Sequence, residues 1–516
     1  MGGAAPVTET SSAAPVAPVA VLGVGAAAPT LRLAAAEAGA AWGSGGGSGT
    51  LAVCDADEDA LTLAWQAATA ALDAAGVEGT SVTGLWWGTS RPPMAEGPSH
   101  VFLCSALGHG AGASGCITSG SPHAGMDALV AAWDAVVARP GTVALVVASD
   151  ALVPGPGTAA ETAMGAGAAA VVLASVAAGD SAPGSNGSSP GARLVARATR
   201  ALPALDRYRA DGAALTEDVY DARLFREEVF VPLLAEAGAA VAGGGAPVAA
   251  WSLSDPDGKL AGAVGTRLGA PVASAPVWRA LGDTGAAAPL LGLVHACAGG
   301  GGAGTTGRLG MVGYGGGRAT AVVLEVQRPV PGATGVEDLG PSRRTTYIEA
   351  LRARGTLVAA GESIQMGVPP GGAAFVRGNP EMLGLTGARC AECGTISTPP
   401  SIHPACVGCG GNALSEVRLS RRGTVQTFVV NQTMPPPFQA PLPLLVLDLD
   451  DGARIMVQGS PADAADLAIG DTVTLSLRRY ALERGVPVYG YKTARAAGGG
   501  APSAPASAGS TKEGGT

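Results

Sequence analysis

The stretch CAECGTISTPPSIHPACVGC, residues 390–409, places Cys390, Cys393, Cys406 and Cys409 as two C-x-x-C pairs separated by twelve residues. Each pair forms a tight knuckle whose two thiolates meet one face of a tetrahedral ion, and the excursion brings the second pair back to close it. Zinc is the expected metal. Iron in a rubredoxin-like site is the chemical rival, and redox dithiols or unrelated thiols are the plain alternative. Four thiolates leave His403, inside the loop, no vacancy. Such a closed set is structural, because zinc catalysis needs an open position. Eight cysteines in 516 residues, four of them in this cluster, do not make a disulfide scaffold, and a reducing compartment fits.

Downstream, GTVQTFVVNQ, LPLLVLDLDDGARIMVQG, DTVTLSLRRY and VPVYGYK read as hairpin strands, with Asp451-Gly452 as a favoured two-residue turn. They predict a small β-barrel. Upstream, TTYIEALRARGTL (345–357) reads as a helical arm, and the Pro- and Gly-rich QRPVPGATGVEDLGPSRR (327–344) as a linker. Residues 1–18 and 495–516, rich in Ala, Pro, Gly and Ser, are expected to be disordered tails.

Between Val19 and Val326 apolar strands alternate with amphipathic helices. In DALTLAWQAATAALDAAGV, Leu61, Trp65, Ala68 and Leu72 recur at helical spacing and Gly76 is a stop signal. TGLWWGTS, TVALVVASD and AAAVVLASV read as buried strands, so the class is α/β with a largely parallel sheet. A flexible loop is expected at 179–192. The two sides of it echo each other: VTGLWWGTS with PVAAWSLSD, and MGAGAAAVVLASV with YGGGRATAVVLEV, a pseudo-duplication. Apolar residues make up 47% but aromatics only 4%, with 80 glycines, so the core is built from Ala, Val and Leu at close backbone approach.

A net charge of −9 and a pI near 5.2 argue against a nucleic-acid surface, which needs clustered Lys and Arg. No apolar run reaches the ~20 residues that span a bilayer, and the opening segment lacks a basic n-region, so a cytoplasmic protein is expected.

The arm, the four-cysteine ribbon and the barrel segment VVNQTMPPPFQAPLPLLVLDLDDG resemble the zinc-ribbon/OB-fold family that accompanies thiolase-superfamily enzymes, over residues 345–494. The resemblance implies a domain that helps bind or channel acyl-CoA. An oligonucleotide-binding barrel is the alternative, but no basic and aromatic stacking face is evident. Residues 19–326 resemble hydroxymethylglutaryl-CoA synthase, within the thiolase superfamily that also holds ketoacyl-ACP synthase III. VLGVGAAAPTLRLAAAEAGAAWG, DEDALTLAWQAATAAL, WWGTSRPPMAEGP, ETAMGAGAAAVVLA, DRYRADGAAL, SDPDGKL and GYGGGRATAVVLEV appear in the family's order. The implied fold is a duplicated thiolase-like α/β domain followed by a zinc ribbon and an OB-fold.

That family uses a cysteine nucleophile at a strand-to-helix turn, a glutamate and a histidine. Here the cysteine position, in CITSGSPHAGMDALVAAWDAV (116–136), falls on Pro122. The glutamate position falls on Ser90 in GTSR and the histidine position on Ser254 in SDPDGK, so all three groups are absent. Ser121 is a substitute nucleophile only with an adjacent base. His123, Asp255, Asp283 and His295 are substitute bases, each with a structural role as the plain alternative. Cys116, Cys54, Cys104 and Cys297 read as buried structural thiols. Lys259, retained from the family's NGK, is a candidate for coenzyme A phosphates, and the glycine turn containing Gly315 and Gly316 for close backbone approach and an oxyanion N–H.

Two functions follow. One is carbon–carbon bond formation or cleavage on an acyl-CoA or acyl carrier thioester, as in thiolase-like aldolases, without the family triad. The other is a non-catalytic scaffold presenting ligand to a partner thiolase or synthase. A homodimer through the large domain, with the strand at Cys116 near its interface, is implied by the resemblance.

Overall fold

A computed structural model describes residues 18–495 except 46, 111, 176–190, 214, 218–220, 244, 303–304, 341, 359–364, 367–370, 435–439, 461–463 and 465–466. The tails expected to be disordered and the loop expected at 179–192 lie outside the described residues, apart from their innermost positions.

One sheet organises the large domain. Its strands are β1 (Val19–Ala27), β2 (Gly84–Gly88), β3 (Ser114–Thr118), β4 (Val143–Ala151), β5 (Ala166–Ala174), β6 (Ala192–Ala201), β7 (Val248–Leu253), β8 (Gly307–Gly315) and β9 (Arg318–Val326). Their order is β3-β2-β4-β5-β1-β6-β9-β8-β7. Two halves join where β1 pairs with β6, Val19 opposite Leu194. In one half β2 runs parallel to β4, which lies antiparallel to β5; in the other β7 runs parallel to β8, which lies antiparallel to β9. The internal sequence echoes therefore fall on equivalent strands, β2 with β7 and β5 with β9.

The sheet is mixed, which corrects the expectation of a largely parallel one. Only β3–β2, β2–β4 and β8–β7 are parallel, and the other five neighbouring pairs are antiparallel. The reason is local in β8–β9: Gly316 and Gly317, at φ 59° and 74°, make a two-residue hairpin turn where a parallel pair would need a crossover.

The helix Ala60–Ala75 begins with a reciprocal capping box between Asp59 and Thr62 and ends at Gly76, φ 63°. It lies so close to β1 that a Cβ on Gly25 would sit 2.3 Å from the Ala67 carbonyl oxygen. Glycine facing alanine thus replaces aromatic bulk in this core.

The described residues between Gln327 and Arg344 are strapped onto the large domain. Val24 N–H donates to the Pro331 carbonyl at 2.9 Å, Val330 and Leu339 are buried, and Arg343–Arg344 pairs in parallel with Leu31–Ala34. The arm helix Tyr347–Ala353 follows, capped by Thr346 and Glu349. The ribbon strands are β10 (Thr386–Cys390), β11 (Ile396–Ser397) and β12 (Leu414–Arg418), with β10 central. The barrel is β13 (Arg422–Asn431), β14 (Leu442–Leu449), β15 (Arg454–Gln458), β16 (Thr472–Glu483) and β17 (Val486–Arg495). It closes through β13–β14–β15–β17–β16–β13, and β14 joins β15 by a three-residue loop, 450–452, rather than the two-residue turn expected: Leu449 N–H donates to the Ala453 carbonyl at 2.8 Å and Gly452 takes φ 89°.

Barrel and large domain share a joint at the start of the helix Ala60–Ala75. Tyr489 Oη donates to Asp59 at 2.8 Å, Lys492 Nζ pairs with Asp57 at 2.9 Å, and Arg478 pairs with Glu58. Trp65 meets Tyr491 edge to face at 5.6 Å, within an apolar cluster continuous from Leu61 and Leu85 to Leu447 and Leu477. Among the described residues no helix is long and apolar enough to cross a membrane.

Candidate functional site

The turn between β3 and the helix Ala124–Ala138 carries Ser119 to His123. The end of β8 presses on it: a Cβ on Gly315 would lie 2.5 Å from His123 N and 3.0 Å from Pro122 Cδ. The two halves of the domain therefore touch by backbone at this turn, which is what the glycine run permits.

Pro122 and Ser254 line one cleft, together with Asp206, Arg207, Phe230, Pro256, Asp283, Gly285 and Tyr314. It encloses only ≈ 30 Å³, about the space of two waters. Ser254 is buried; its N–H donates to the Val312 carbonyl at 3.0 Å and its Oγ accepts from Tyr314 N–H at 3.1 Å. Asp283 accepts from Arg207 Nη1 at 2.7 Å and from Gly285 N–H at 2.9 Å.

Ser90 stands one carboxylate away. Its N–H and Oγ donate to Asp150 at 2.8 and 2.7 Å, and Thr89 Oγ1 and Ala286 N–H add bonds of 2.8 and 2.7 Å. Asp150, the penultimate residue of β4, is fully buried directly behind the cleft wall, since a Cβ on Gly285 would lie 2.2 Å from its Oδ2. Burial pushes its carboxyl up to about 6, against these bonds, which favour the charged form. Sequence reading did not single it out. Its one signal is an acidic residue at the carboxyl end of an apolar strand, where open α/β sheets place ligands.

The substitute candidates disperse. His123 is buried, with Nε2 2.8 Å from Thr320 Oγ1 and Nδ1 3.0 Å from Asp127, and it does not line the cleft. Ser121 Oγ accepts from His123 N–H at 3.2 Å, so backbone rather than the imidazole engages it. His295 is buried, its Nδ1 accepting from Val336 N–H at 3.2 Å in the strap. Lys259 is exposed and precedes the helix Leu260–Leu268. The Gly316 N–H, expected as an oxyanion donor, is donated to Asp206 at 2.9 Å. Of the thiols expected to be buried, Cys297 is buried, Cys54 and Cys104 are half-buried, and Cys116 is exposed on the edge strand β3. An exposed edge follows from β3 having a single neighbour.

Asp255 beside the cleft accepts from Lys259 and Leu260 N–H at 3.1 Å each. Burial first, and then the like charge of Asp257, push its carboxyl up to about 7 from 3.8. A raised carboxyl pKa means the folded state holds its proton more tightly, so this contribution is full below pH 4 and is lost as pH rises through 7. Asp255→Asn should therefore gain on the natural protein by about 4 kcal/mol between pH 4 and pH 8, at about 1.4 kcal/mol per pKa unit. Urea unfolding across that range checks it; a pH-independent difference refutes it.

In the ribbon all four cysteine sulfurs lie within 4.8 Å of one another. Cys390 Sγ is 3.7 Å from Cys409 Sγ, and Cys393 Sγ is 3.4 Å from Cys406 Sγ. Zn–S bonds of ~2.3 Å at tetrahedral angles require sulfurs roughly 3.8 Å apart, so the donor set fits that ion.

Fold and site together define a thiolase-like α/β domain followed by a four-thiol ribbon and an OB-fold barrel. A family model described as the C-terminal OB-fold domain of ChsH2 matches residues 416–478. A DUF35 domain-containing scaffold protein of Methanothermobacter thermautotrophicus is 33% identical over 118 residues, 22% of this chain and 87% of the relative. By this similarity the chain belongs to the DUF35 domain-containing family. A hydroxymethylglutaryl-CoA synthase of Thermococcus gammatolerans is 36% identical over 91 residues, 17% of this chain and 26% of the relative. The solved structure of MvaS in complex with 3-hydroxy-3-methylglutaryl coenzyme A aligns with a TM-score of 0.54 at 18% identity, over 68% of this chain and 94% of that chain. That likeness shows the thiolase-like fold.

Proposed function

We propose that this chain is a thioester-binding scaffold: its thiolase-like domain holds a coenzyme A or acyl carrier thioester without forming an acyl-enzyme, for use by a partner thiolase or synthase. One observation carries the reading. The positions of the family's cysteine and histidine share one narrow cleft, and they hold Pro122 and Ser254. Neither offers an activated nucleophile. The carboxylates nearby are engaged, Asp283 by Arg207 and Asp150 by Ser90, Thr89 and Ala286. The similarity to proteins described as scaffolds supports it. Zinc held by Cys390, Cys393, Cys406 and Cys409 crosslinks the ribbon and takes no part in chemistry, and the open edge of β3 is the proposed homodimer seam.

A second reading rests on Asp150. With its carboxyl near 6 it has the affinity of a general base at neutral pH, which suits carbon–carbon bond cleavage or formation without a cysteine.

Incubation with acetyl-CoA or acetoacetyl-CoA should give saturable binding in calorimetry, no acyl adduct by intact-protein mass spectrometry, and hydroxymethylglutaryl-CoA synthase turnover at background. Acylation of Ser119, Ser121 or Cys116 that discharges on adding the second substrate would show a relocated nucleophile and end the scaffold reading. Turnover that rises with pH through an apparent pKa near 6, and that Asp150→Asn abolishes, would establish the second.

A further inference from the structure

A larger cavity lies where the large domain, the arm and the barrel meet. It encloses ≈ 230 Å³ and is lined by Cys54, Glu58, Asp59 and Arg91 of the large domain, Arg354 of the arm and Arg479 of the barrel. No residue of the Pro122 cleft lines it.

Its two carboxylates are already matched. Glu58 accepts from Thr30 N–H at 2.9 Å, Thr30 Oγ1 at 2.8 Å and Asp55 N–H at 3.0 Å, and pairs with Arg478. Asp59 accepts from Leu61 and Thr62 N–H at 3.0 Å each and from Tyr489 Oη at 2.8 Å, with Arg479 Nη1 at 3.7 Å. Glu161, whose charge reaches Arg354, has its oxygens occupied by Tyr347 Oη and Gly157 N–H, both at 2.7 Å. Arg354 Nη2 is enclosed and meets no acceptor among the described residues. Burial depresses the pKa of Arg354 and of Arg91, whose neighbour Arg209 adds a like charge. Arg479 also lines the cavity but is itself used, its Nη2 donating to the Ala56 carbonyl at 2.8 Å and its Nη1 facing Asp59, so the enclosed Nη2 of Arg354, beside carboxylates already engaged, is the donor prepared for an anion.

We propose that this cavity binds a phosphate group, as inorganic phosphate or as the phosphate monoester of a larger ligand, with Arg354 as its principal donor, and that the anion ties the arm to the large domain and barrel. A forked guanidinium matches phosphate oxygens in pairs. The volume leaves room for more of a ligand beyond the phosphate. This proposal does not depend on the reading of the Pro122 cleft.

Calorimetry of the full chain with inorganic phosphate, ionic strength held with chloride, tests it. One saturable site per chain is expected, weakened roughly tenfold or more in Arg354→Gln. Affinity should be unchanged in Arg454→Gln, which alters an exposed barrel residue paired with Asp448. Arg354→Lys keeps the charge but not the fork, and should bind with intermediate affinity even if the glutamine variant does not fold. Coenzyme A and its 3′-dephospho form separate the sources. A preference for coenzyme A that Arg354→Lys diminishes identifies a ligand-borne phosphate, and a phosphate effect without that preference identifies the free anion. No saturable binding of any probe, or equal affinities in the natural protein and the Arg354 variants, overturns the proposal.

Discussion

Chelating the metal, or replacing Cys390 and Cys406 by serine, should unfold the ribbon while the nine-stranded sheet stays folded. The four sulfurs converge within 4.8 Å, but the strands around them are five, two and five residues long. Three such strands cannot bury enough surface to hold themselves. Metal binding at a site of this kind contributes about 10–16 kcal/mol, and where the ligands are dispersed in the unfolded chain that is folding free energy. The sheet does not share this dependence: β4 and β5 are buried along almost their whole length. Hydrogen exchange should lose protection at Thr386–Cys390 and Leu414–Arg418 and keep it in Val143–Ala174. Full protection of the ribbon after chelation, or full zinc content in the two serine variants, would remove the metal from the account.

Replacing Arg478 by methionine should cost about 3–5 kcal/mol, the range for stranding one partner of a buried ion pair. Glu58 is 3% exposed and Arg478 is its ionic partner from the barrel. The loss should fall on the joint, so denaturant unfolding should separate into a barrel phase and a large-domain phase. Changing Glu58 to glutamine in the same chain should recover much of the loss, because no charge is then left stranded. A single variant within about 0.5 kcal/mol of the natural protein would mean that the joint rests on the Trp65–Tyr491 contact and the apolar cluster instead.

Features governed by neighbours in the chain were legible. The stop of the helix Ala60–Ala75 at Gly76, the turn glycine Gly452 and the convergence of the four cysteines all appear where spacing placed them. The mixed sheet was not, because two strands joined by two glycines and two joined by a helix look alike as apolar runs. For the candidate site, the order of motifs led to Pro122 and Ser254, which line one cleft, whereas His123 and His295 face other elements.

By itself the sequence determined that the chain carries two C-x-x-C pairs at metal-ligand spacing and an α/β domain with repeated strands. These rest on residue types within a few positions of one another, where backbone geometry leaves few alternatives. Only the tertiary structure decided that Asp150 lies behind Ser90, 60 residues away, and that Arg478 is the counterion of Glu58, 420 residues away. Strand order and domain docking set such distances, and they are fixed by burial of the whole core, to which each residue's local sequence contributes only a small part.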